Sequence, residues 1–315
     1  MNKLFSLVLL FGSLSCGMAA AATERDTSKL QLASVSALVA HLGSEEPEFS
    51  KRADWVMPIA SVTKLMTALV VLESGEPLDA WLPVVKRDFD PAANAYSRIR
   101  LESEATRRDL LHVALMSSEN LAAYLLARHH PDGYSAFIAA MNATAQRLGM
   151  TSSRFVDSAG LSDGNVSTAR DLLKLVNAAF KYPVIRELTT SPGQWVQFRQ
   201  PRYGLQYGNT NPLVRSQRWD VLLSKTGYLD AAGRCLVMVV KVAGEPQVMV
   251  LLDSRGSRTP LGDAGRIRRW LTTGVGGTVA AAALEYEREK AAVRELAQGE
   301  PDQKVTDRGQ AGLTL

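Results

Sequence analysis

The most informative part of the chain is residues 58–67, which read Pro58-Ile59-Ala60-Ser61-Val62-Thr63-Lys64-Leu65-Met66-Thr67. From Ser61 to Leu72 the pattern is helical, and nearly every side of the segment is apolar. A helix that is apolar on nearly all sides is a buried one, so we expect this helix inside the domain. Its polar residues are concentrated in the first turns, which predicts that this end faces a cleft.

Ser61 and Lys64 are three residues apart, so both side chains lie on one face of the predicted helix. A serine hydroxyl is a poor nucleophile until a base takes its proton. A lysine serves as that base when burial and neighbouring positive charge lower its pKa from about 10.4 toward neutrality. Alone this pair is weak evidence, because a capping serine beside a solvated lysine gives the same pattern.

Two further motifs each occur once in the chain. Ser118-Glu119-Asn120 lies between two predicted helices, 109–117 and 120–128, where serine and asparagine also serve as caps. Lys225-Thr226-Gly227 lies at the end of a predicted strand. There the lysine adds positive charge, the threonine offers a hydroxyl to a substrate carboxylate, and the glycine lets a substrate backbone come close. A strand that ends in a turn explains this second motif without any function.

The rest of the pattern predicts an α+β fold. A strand-like run over residues 32–41 is followed by a turn signal at residues 43–47, which predicts an N-terminal hairpin. The segment from about residue 110 to 180 is mostly helical. Valine- and leucine-rich strands follow, and then a helix, at residues 221–226, 235–242, 247–253 and 264–271. We therefore expect one antiparallel sheet built from both ends of the chain, with a helical region inserted.

Composition limits the classes of partner. The 315 residues are 46% hydrophobic and 22% charged, which is ordinary for a globular protein with a sizeable core. The net charge of +4 is mild and its basic residues are scattered, so nucleic acid is a poor default partner. No cofactor motif is present. His129 and His130 are adjacent without a third ligand in view, so we expect no metal site.

The N-terminus is typical of a secretory signal, with Lys3 before a short apolar run and small residues leading to Ala22. The apolar run falls short of the roughly 20 residues that span a bilayer. We expect a signal peptide over residues 1–22, a domain over 23–275 and a helix-prone tail over 276–315. Cleavage near Ala22 leaves Cys235 as the one cysteine, so we expect no disulfide and no transmembrane anchor in the mature protein. The tail has no strong apolar stripe, which predicts a solvated helix with a disordered end.

The three motifs in this order resemble the signature of penicillin-binding proteins and class A β-lactamases. The wider match lies in residues 58–67, 114–120, 165–171 and 225–228. These residues resemble the low-molecular-mass penicillin-binding proteins, a serine DD-peptidase family, and within it the D-alanyl-D-alanine endopeptidase branch (penicillin-binding protein 7 type). The resemblance runs from about residue 34 to about residue 272. It implies a DD-peptidase/β-lactamase-like fold, an antiparallel sheet flanked by helices with an inserted, mainly helical region.

The resemblance also implies catalytic roles. Ser61 is the nucleophile that forms the acyl-enzyme, and Lys64 is its general base. Ser118 relays a proton to the leaving amine. The backbone N–H groups of Ser61 and Tyr228 form the oxyanion hole.

The same resemblance implies the substrate-binding residues. Asn120 holds the substrate amide, and Lys225-Thr226-Gly227 forms the binding strand. Lys225 helps to keep Lys64 neutral and attracts the terminal carboxylate that Thr226 binds. The implied enzyme needs no cofactor and no metal.

The implied activity is hydrolysis of D-alanyl–diaminopimelyl cross-links in peptidoglycan, in the periplasm, as part of cell-wall remodelling and cell shape. β-Lactams are the implied covalent inhibitors. The main alternative is a D-alanyl-D-alanine carboxypeptidase. Related carboxypeptidases carry an extra C-terminal β-domain and a membrane-binding helix, and this chain stops too soon after Asp253 for that domain, which favours the endopeptidase. Oligomeric state and protein partners stay open.

Two other classes are weaker alternatives. A class A β-lactamase needs a separate glutamate to activate the water that releases the acyl group. Residues 155–161, the corresponding stretch, contain no glutamate, which predicts a long-lived penicilloyl enzyme. A β-lactam receptor of the signalling type carries membrane helices, and no such segment is visible.

Overall fold

A computed structural model describes residues 25–88 and 96–299. The strands are β1 (Ser36–His41), β2 (Phe49–Lys51), β3 (Met57–Pro58), β4 (Trp81–Pro83), β5 (Glu104–Thr106), β6 (Val166–Ser167), β7 (Gly193–Phe198), β8 (Tyr203–Gly208), β9 (Val221–Leu229), β10 (Gly233–Val242) and β11 (Glu245–Ser254). The helices are α1 (Lys64–Glu73), α2 (Arg107–Met116), α3 (Asn120–Arg128), α4 (Gly133–Arg147), α5 (Ala169–Ala179), α6 (Pro183–Thr190), α7 (Pro212–Arg215), α8 (Thr259–Thr273) and α9 (Ala281–Gly299). The predicted signal peptide and the end of the predicted tail lie outside the described residues, and the predicted domain limits stay predictions.

Both ends of the chain build the main sheet, as the sequence predicts. Its order is β2-β1-β11-β10-β9, with every neighbouring pair antiparallel. Alternate residues of the central strands enter two different apolar layers: Val237 and Val250 face the helical region, and Met238 and Met249 face α8. Because both faces are covered, these strands appear in the sequence as continuous apolar runs. The α+β class and the two-ended sheet are confirmed.

Helix α1 is the buried helix at the centre of the helical region, and every residue from Lys64 to Val71 is buried. The predicted start at Ser61 is wrong, because Ala60–Thr63 forms a 3-10 turn and the α-helix begins at Lys64. Ala60 has a left-handed φ of 47°, which turns the chain sharply into this segment. The nucleophile candidate therefore lies on a tight turn that precedes the helix.

Some other predicted helix and strand boundaries agree with the structure, and others differ because tertiary contacts extend the element. Helix α3 has the predicted limits, and the Thr168 side chain caps α5 by accepting from Asp171 N. Strand β9 continues to Leu229 because it pairs with β10 as far as Gly233, so Lys225-Thr226-Gly227 lies inside a strand and not at its end. The sequence did not predict helix α6 or the β7–β8 hairpin, where burial alternates and the apolar signal is weak.

Helix α9 is present as predicted, but the expectation of a solvated helix is wrong for one of its faces. The Glu287 carboxylate is buried and pairs with Arg52 and with Lys51, whose Nζ lies 3.1 Å away. Tyr286 donates to Asp253 at 2.7 Å, and Arg294 pairs with the same carboxylate at 3.2 Å. Polar contacts hold this helix on the domain, so its sequence has no apolar stripe that would predict the packing. Within residues 25–88 and 96–299, no helix has the length and hydropathy needed to cross a bilayer.

Candidate active site

One cleft of about 940 Å³ brings the three motifs together. Its lining includes Ser61, Ser118, Asn120, Gly160, Thr210, Thr226, Gly227, Tyr228, Arg234 and Arg258. The motifs come from the turn before α1, the α2–α3 junction and strand β9. Lys64 and Lys225 lie beneath this lining, and each exposes only 1% of its surface.

The Lys64 amino group lies at the centre of three acceptors. Its Nζ is 2.8 Å from Ser61 Oγ, 2.8 Å from Asn120 Oδ1 and 2.5 Å from the carbonyl oxygen of Ala159. The amide oxygen and the carbonyl can accept only from N–H bonds, whereas the serine hydroxyl can also donate. A neutral Lys64 can therefore keep its two N–H bonds on Asn120 and Ala159 and turn its lone pair toward the Ser61 hydroxyl.

Burial favours the neutral form of the Lys64 amine. Burial is the largest cause that lowers the pKa of Lys64, to about 7, while the carboxylates of Asp157 and Glu119 oppose the shift. The pKa of Lys225 is also lowered well below its ordinary value, first by burial and then by repulsion from Lys64. The expectation that Lys225 keeps Lys64 neutral is thus refined. Desolvation is the main cause of the lowered Lys64 pKa, and repulsion between the two amines lowers the pKa of Lys225.

Ser118 holds the second serine position of the cleft. Its φ of 61° is left-handed, a conformation that costs a non-glycine residue about 1 kcal/mol or more. Lys225 Nζ lies 2.9 Å from Ser118 Oγ and 2.8 Å from its own neighbour, the carbonyl of Thr226. The adjacent Ser117 points elsewhere and donates to the carbonyl of Gly208. The strained backbone therefore aims Ser118, and not Ser117, into the cluster.

Strand β9 forms the far wall. Thr226 Oγ1 donates to Thr210 Oγ1 at 2.6 Å, which orients both hydroxyls along the cleft. A Cβ on Gly227 would lie 3.0 Å from the carbonyl oxygen of Ile59 and 3.2 Å from Ser61 N. The glycine was expected to admit a substrate backbone, but in this structure it admits the turn that carries Ser61. The partner Thr210 carries no motif of its own, and the sequence did not reveal it.

The loop after Asp157 completes the Lys64 environment. One oxygen of Asp157 accepts from the backbone N–H groups of Ala159 at 2.7 Å and Gly160 at 2.5 Å, and the other accepts from Ser162 N at 2.8 Å. These bonds fold the loop so that the carbonyl of Ala159 faces Lys64. The sequence pattern predicted only a missing glutamate in this stretch, and the role of Asp157 was missed. An aspartate before small turn residues is the signal that could have found it.

The remaining candidates take other positions. Tyr228 shares the cleft lining with Ser61, as the proposed oxyanion hole requires, and the residue is 43% exposed. His129 lies outside the cleft lining, with Nε2 2.8 Å from the carbonyl oxygen of Pro83. Across residues 25–88 and 96–299, no group of three or more His, Cys, Asp or Glu side chains is arranged to hold a metal ion.

An antiparallel sheet flanked by helices, with a serine–lysine pair in the cleft between them, defines a serine peptidase of the penicillin-binding class. The chain belongs to the Peptidase_S11 family, described as D-alanyl-D-alanine carboxypeptidase, whose model matches residues 22–256. The resemblance read from the motifs is thereby confirmed.

Similar proteins carry both endopeptidase and transpeptidase names. The chain is 46% identical to a D-alanyl-D-alanine endopeptidase of Escherichia coli strain K12, over 92% of this chain and 94% of that relative. It is 45% identical to the Pseudomonas aeruginosa protein of the same name, over 94% and 97%. The solved structure of the Streptomyces K15 DD-transpeptidase matches with a TM-score of 0.69 and 25% identity, covering 83% of this chain and 99% of that one. Penicillin-binding protein D2 from Listeria monocytogenes, in its cefotaxime-bound form, matches with a TM-score of 0.66 and 29% identity, over 78% and 98%.

Proposed function

We propose that this protein is an exported serine DD-endopeptidase that hydrolyses D-alanyl–diaminopimelyl cross-links of peptidoglycan through an acyl-enzyme on Ser61. The observation that carries the proposal is the 2.8 Å contact of Lys64 Nζ with Ser61 Oγ on the floor of the cleft. Two relatives named D-alanyl-D-alanine endopeptidase, at 46% and 45% identity, support the endopeptidase assignment over the carboxypeptidase one.

The first step is acylation. Neutral Lys64 takes the proton of Ser61 as Oγ attacks the carbonyl carbon of the D-alanyl residue. The carbonyl oxygen becomes an oxyanion, which the backbone N–H groups of Ser61 and Tyr228 stabilise. A donor of this kind is typically worth about 2.7–4 kcal/mol of transition-state stabilisation. Because Lys64 is already buried, it accepts the proton without first losing a water shell.

The second step releases the leaving strand. The carbon–nitrogen bond breaks, and the leaving amine takes a proton from Ser118. Ser118 is reprotonated with the proton that Lys64 took from Ser61, so Lys64 is neutral again before the next step. Lys225 and Thr226 attract the carboxylate next to the scissile nitrogen. Asn120 holds Lys64 through Oδ1, so its proposed contact with the substrate amide adds to a positioning role. Water activated by Lys64 then attacks the ester, and the proton returns to Ser61 Oγ.

Penicillin acylates Ser61 by the same attack, and we propose that this ester is long-lived. The loop that would carry a water-activating glutamate has Asp157 instead, and its carboxylate is occupied by backbone N–H groups of residues 159–162. Glu119, a buried glutamate next to Ser118, accepts from Ala122 N as the cap of α3. Neither carboxylate is available to a water above the ester.

A D-alanyl-D-alanine carboxypeptidase is the second candidate function. Both activities share the attack on a D-alanyl carbonyl and differ only in the group that leaves with the scissile nitrogen. The Streptomyces K15 relative named D-alanyl-D-alanine carboxypeptidase is 29% identical to this chain, well below the endopeptidases. Export to the periplasm and cleavage near Ala22 belong to the same proposal, and so does the division of the chain at residues 22 and 275.

Digestion of purified muropeptides tests the proposal. The wild-type protein is expected to convert cross-linked dimers to monomers and to leave pentapeptide monomers intact. Ser61→Ala is expected to release no product and to carry no penicilloyl group. Ser257→Ala is the matched control, because Ser257 lines the same cleft without touching the serine–lysine cluster. Loss of the terminal D-alanine without loss of dimers would establish the carboxypeptidase instead.

A further inference from the structure

The cleft does not end at the serine–lysine cluster. It continues across Thr226 and Tyr228 of β9 to Arg234 of β10 and to the first residues of α8. Tyr228 and Arg234 are direct cross-strand partners, and so are Thr226 and Leu236. Directly opposed residues of an antiparallel pair project from the same face, so these side chains form one continuous wall. The turn that carries Ser61 packs on Gly227 of β9, and Arg234 lies one strand farther from that turn, on β10.

Arg234 packs on an aromatic ring of that wall. Its guanidinium carbon lies 3.8 Å from the centre of the Tyr228 ring, a stacked cation–π contact. The Tyr228 hydroxyl is fixed in turn by a 2.6 Å hydrogen bond to Asp230. A stacked guanidinium keeps its N–H bonds in the plane of the fork, where they remain able to grip a carboxylate in bidentate fashion.

No protein group uses that fork in the part of the chain that the structure describes. Among residues 25–88 and 96–299, neither Arg234 nor the exposed Arg258 across the cleft makes an ion pair or a hydrogen bond through its guanidinium. Most other arginines that pack on the body of the domain have such a partner, including Arg170 with Asp54 and Arg294 with Asp253. A half-buried, stacked and unpaired guanidinium in a substrate cleft is suited to an acidic ligand group.

We propose that Arg234 is a specificity-determining residue that binds a carboxylate of the leaving peptide strand, beyond the carboxylate that lies next to the scissile nitrogen. The proposal rests on the proposed function. A leaving D-alanine has a single carboxylate, which Thr226 and Lys225 receive. A leaving cross-linked strand is a longer acidic peptide with at least one further carboxylate at its own C-terminus. Only the longer strand reaches past Thr226 to Arg234, so Arg234 favours cross-links over terminal D-alanine.

Binding to an uncleaving protein tests this proposal apart from the activity. Ser61→Ala is titrated by calorimetry with purified cross-linked dimer and, separately, with pentapeptide monomer. Adding Arg234→Gln is expected to weaken dimer binding about tenfold, the size of a lost hydrogen-bonded charge contact, and pentapeptide binding less than about twofold. Arg234→Lys keeps the charge without the planar guanidinium, so its dimer affinity is expected to lie between those of the Arg234 and Arg234→Gln proteins. Arg218→Gln removes the same charge from an exposed site outside the cleft lining and is expected to change neither affinity.

The outcomes separate the two proposals. Unchanged dimer affinity in the Arg234→Gln protein overturns the subsite, and so does an equal loss for dimer and pentapeptide. The melting temperature of each variant checks separately that it is folded. If wild-type protein fails to cleave a dimer that Ser61→Ala binds through Arg234, the endopeptidase assignment fails and the subsite stands. If wild-type protein cleaves the dimer and Arg234→Gln does not change dimer binding, the endopeptidase assignment stands and the subsite fails.

Discussion

Lys225 Nζ lies 2.9 Å from Ser118 Oγ, so a lysine of the sheet and a serine of the helical region share one hydrogen bond across the cleft. Lys225 is buried on β9, and Ser118 holds a left-handed turn between α2 and α3. Lys64 meanwhile contacts Ser61 on the opposite wall. The site therefore contains two serine–lysine pairs, one suited to take a proton from the nucleophile and one suited to give a proton to the leaving amine.

Replacing Ser118 tests the second pair. Ser118→Ala removes the hydroxyl that we propose delivers the proton, and positioned proton transfer typically contributes about 10²–10⁴ in rate. We expect a loss of that size in the acylation rate with fluorescent penicillin and in dimer cleavage. Ser117→Ala is the matched control: its hydroxyl donates to Gly208 outside the cluster, and a change below about twofold is expected. A Ser118→Ala protein that is acylated at the wild-type rate contradicts the role.

We expect Lys64, as the proposed base, to set the pH dependence of acylation. The pKa of its amine is lowered by burial to about 7, and the amine accepts a proton only in its neutral form. Below this pKa the neutral fraction falls about tenfold per pH unit, and above it the neutral form dominates. We expect the acylation rate to rise with pH and to level off above about pH 7, measured by stopped-flow with a fluorescent penicillin. A midpoint near the ordinary lysine pKa would falsify the assignment of a desolvated base.

Asp157 offers a separate test of the same base. Its carboxylate raises the pKa of Lys64 against the effect of burial, and its hydrogen bonds hold the Ala159 carbonyl on Lys64. In Asp157→Asn we expect the midpoint of the pH profile to move to lower pH and the maximal acylation rate to fall about tenfold, the loss that a misplaced base produces. Asp163→Asn is the control, because Asp163 is exposed on the same loop. A fall in rate with no shift of the midpoint indicates that Asp157 acts on the loop alone.

Gly160 tests the packing of this loop on the nucleophile turn. Its φ is 75°, and an added Cβ would lie 2.0 Å from the carbonyl oxygen of Ala60. Gly133 has a similar φ of 81° and open space around it. Alanine at either position bears the left-handed backbone cost of about 1 kcal/mol, and only Gly160→Ala must also displace the turn before Ser61. We expect chemical denaturation to show a loss of about 1 kcal/mol for Gly133→Ala and at least about 3 kcal/mol for Gly160→Ala. Equal losses contradict the contact.

The C-terminal helix α9 stabilises the domain through Glu287. Its buried carboxylate forms ion pairs with Lys51 and Arg52. Glu287→Gln therefore leaves these two cations without a negative partner, beside one neutral amide. We expect the free energy of unfolding to fall by about 1–3 kcal/mol in thermal or chemical denaturation. Glu289 is exposed on the same helix, and Glu289→Gln is expected to change stability by less than about 0.5 kcal/mol. Equal melting temperatures for the two variants would show that α9 is not held by this contact.

Several elements could be predicted because their signal is local. Helix α3 has its predicted limits, since apolar spacing and its end residues all lie within the segment. The burial of α1 follows from apolar residues on every side. One antiparallel sheet built from both ends of the chain was expected from the order of the predicted elements, and the structure adds that β1 pairs with β11. The eight proposed site residues all came from short sequence motifs. In the fold, six of them line one cleft, and Lys64 and Lys225 lie buried beneath it.

Other features could not be predicted because the partners are far apart in the chain. The Ala159 carbonyl, which completes the Lys64 environment, is 95 residues from Lys64 and has no side-chain signal at all. Thr210 is only 16 residues from Thr226, but it lies in a loop whose backbone N–H binds the distant Met116 carbonyl, so no local pattern marks it. The sequence pattern predicted a solvated α9 because the helix is anchored by single charged residues whose partners lie in β2 and β11.

Local spacing in the sequence was enough to propose which residues carry the chemistry, because a nucleophile, a base and a proton relay need particular side chains at particular local spacings. The tertiary structure decided what those side chains can do. Desolvation of Lys64, the left-handed turn at Ser118 and the unpaired fork of Arg234 each depend on atoms from several segments at once. The pKa of a buried amine is set by the space around it, and that space exists only after the sheet and the helices have closed over it.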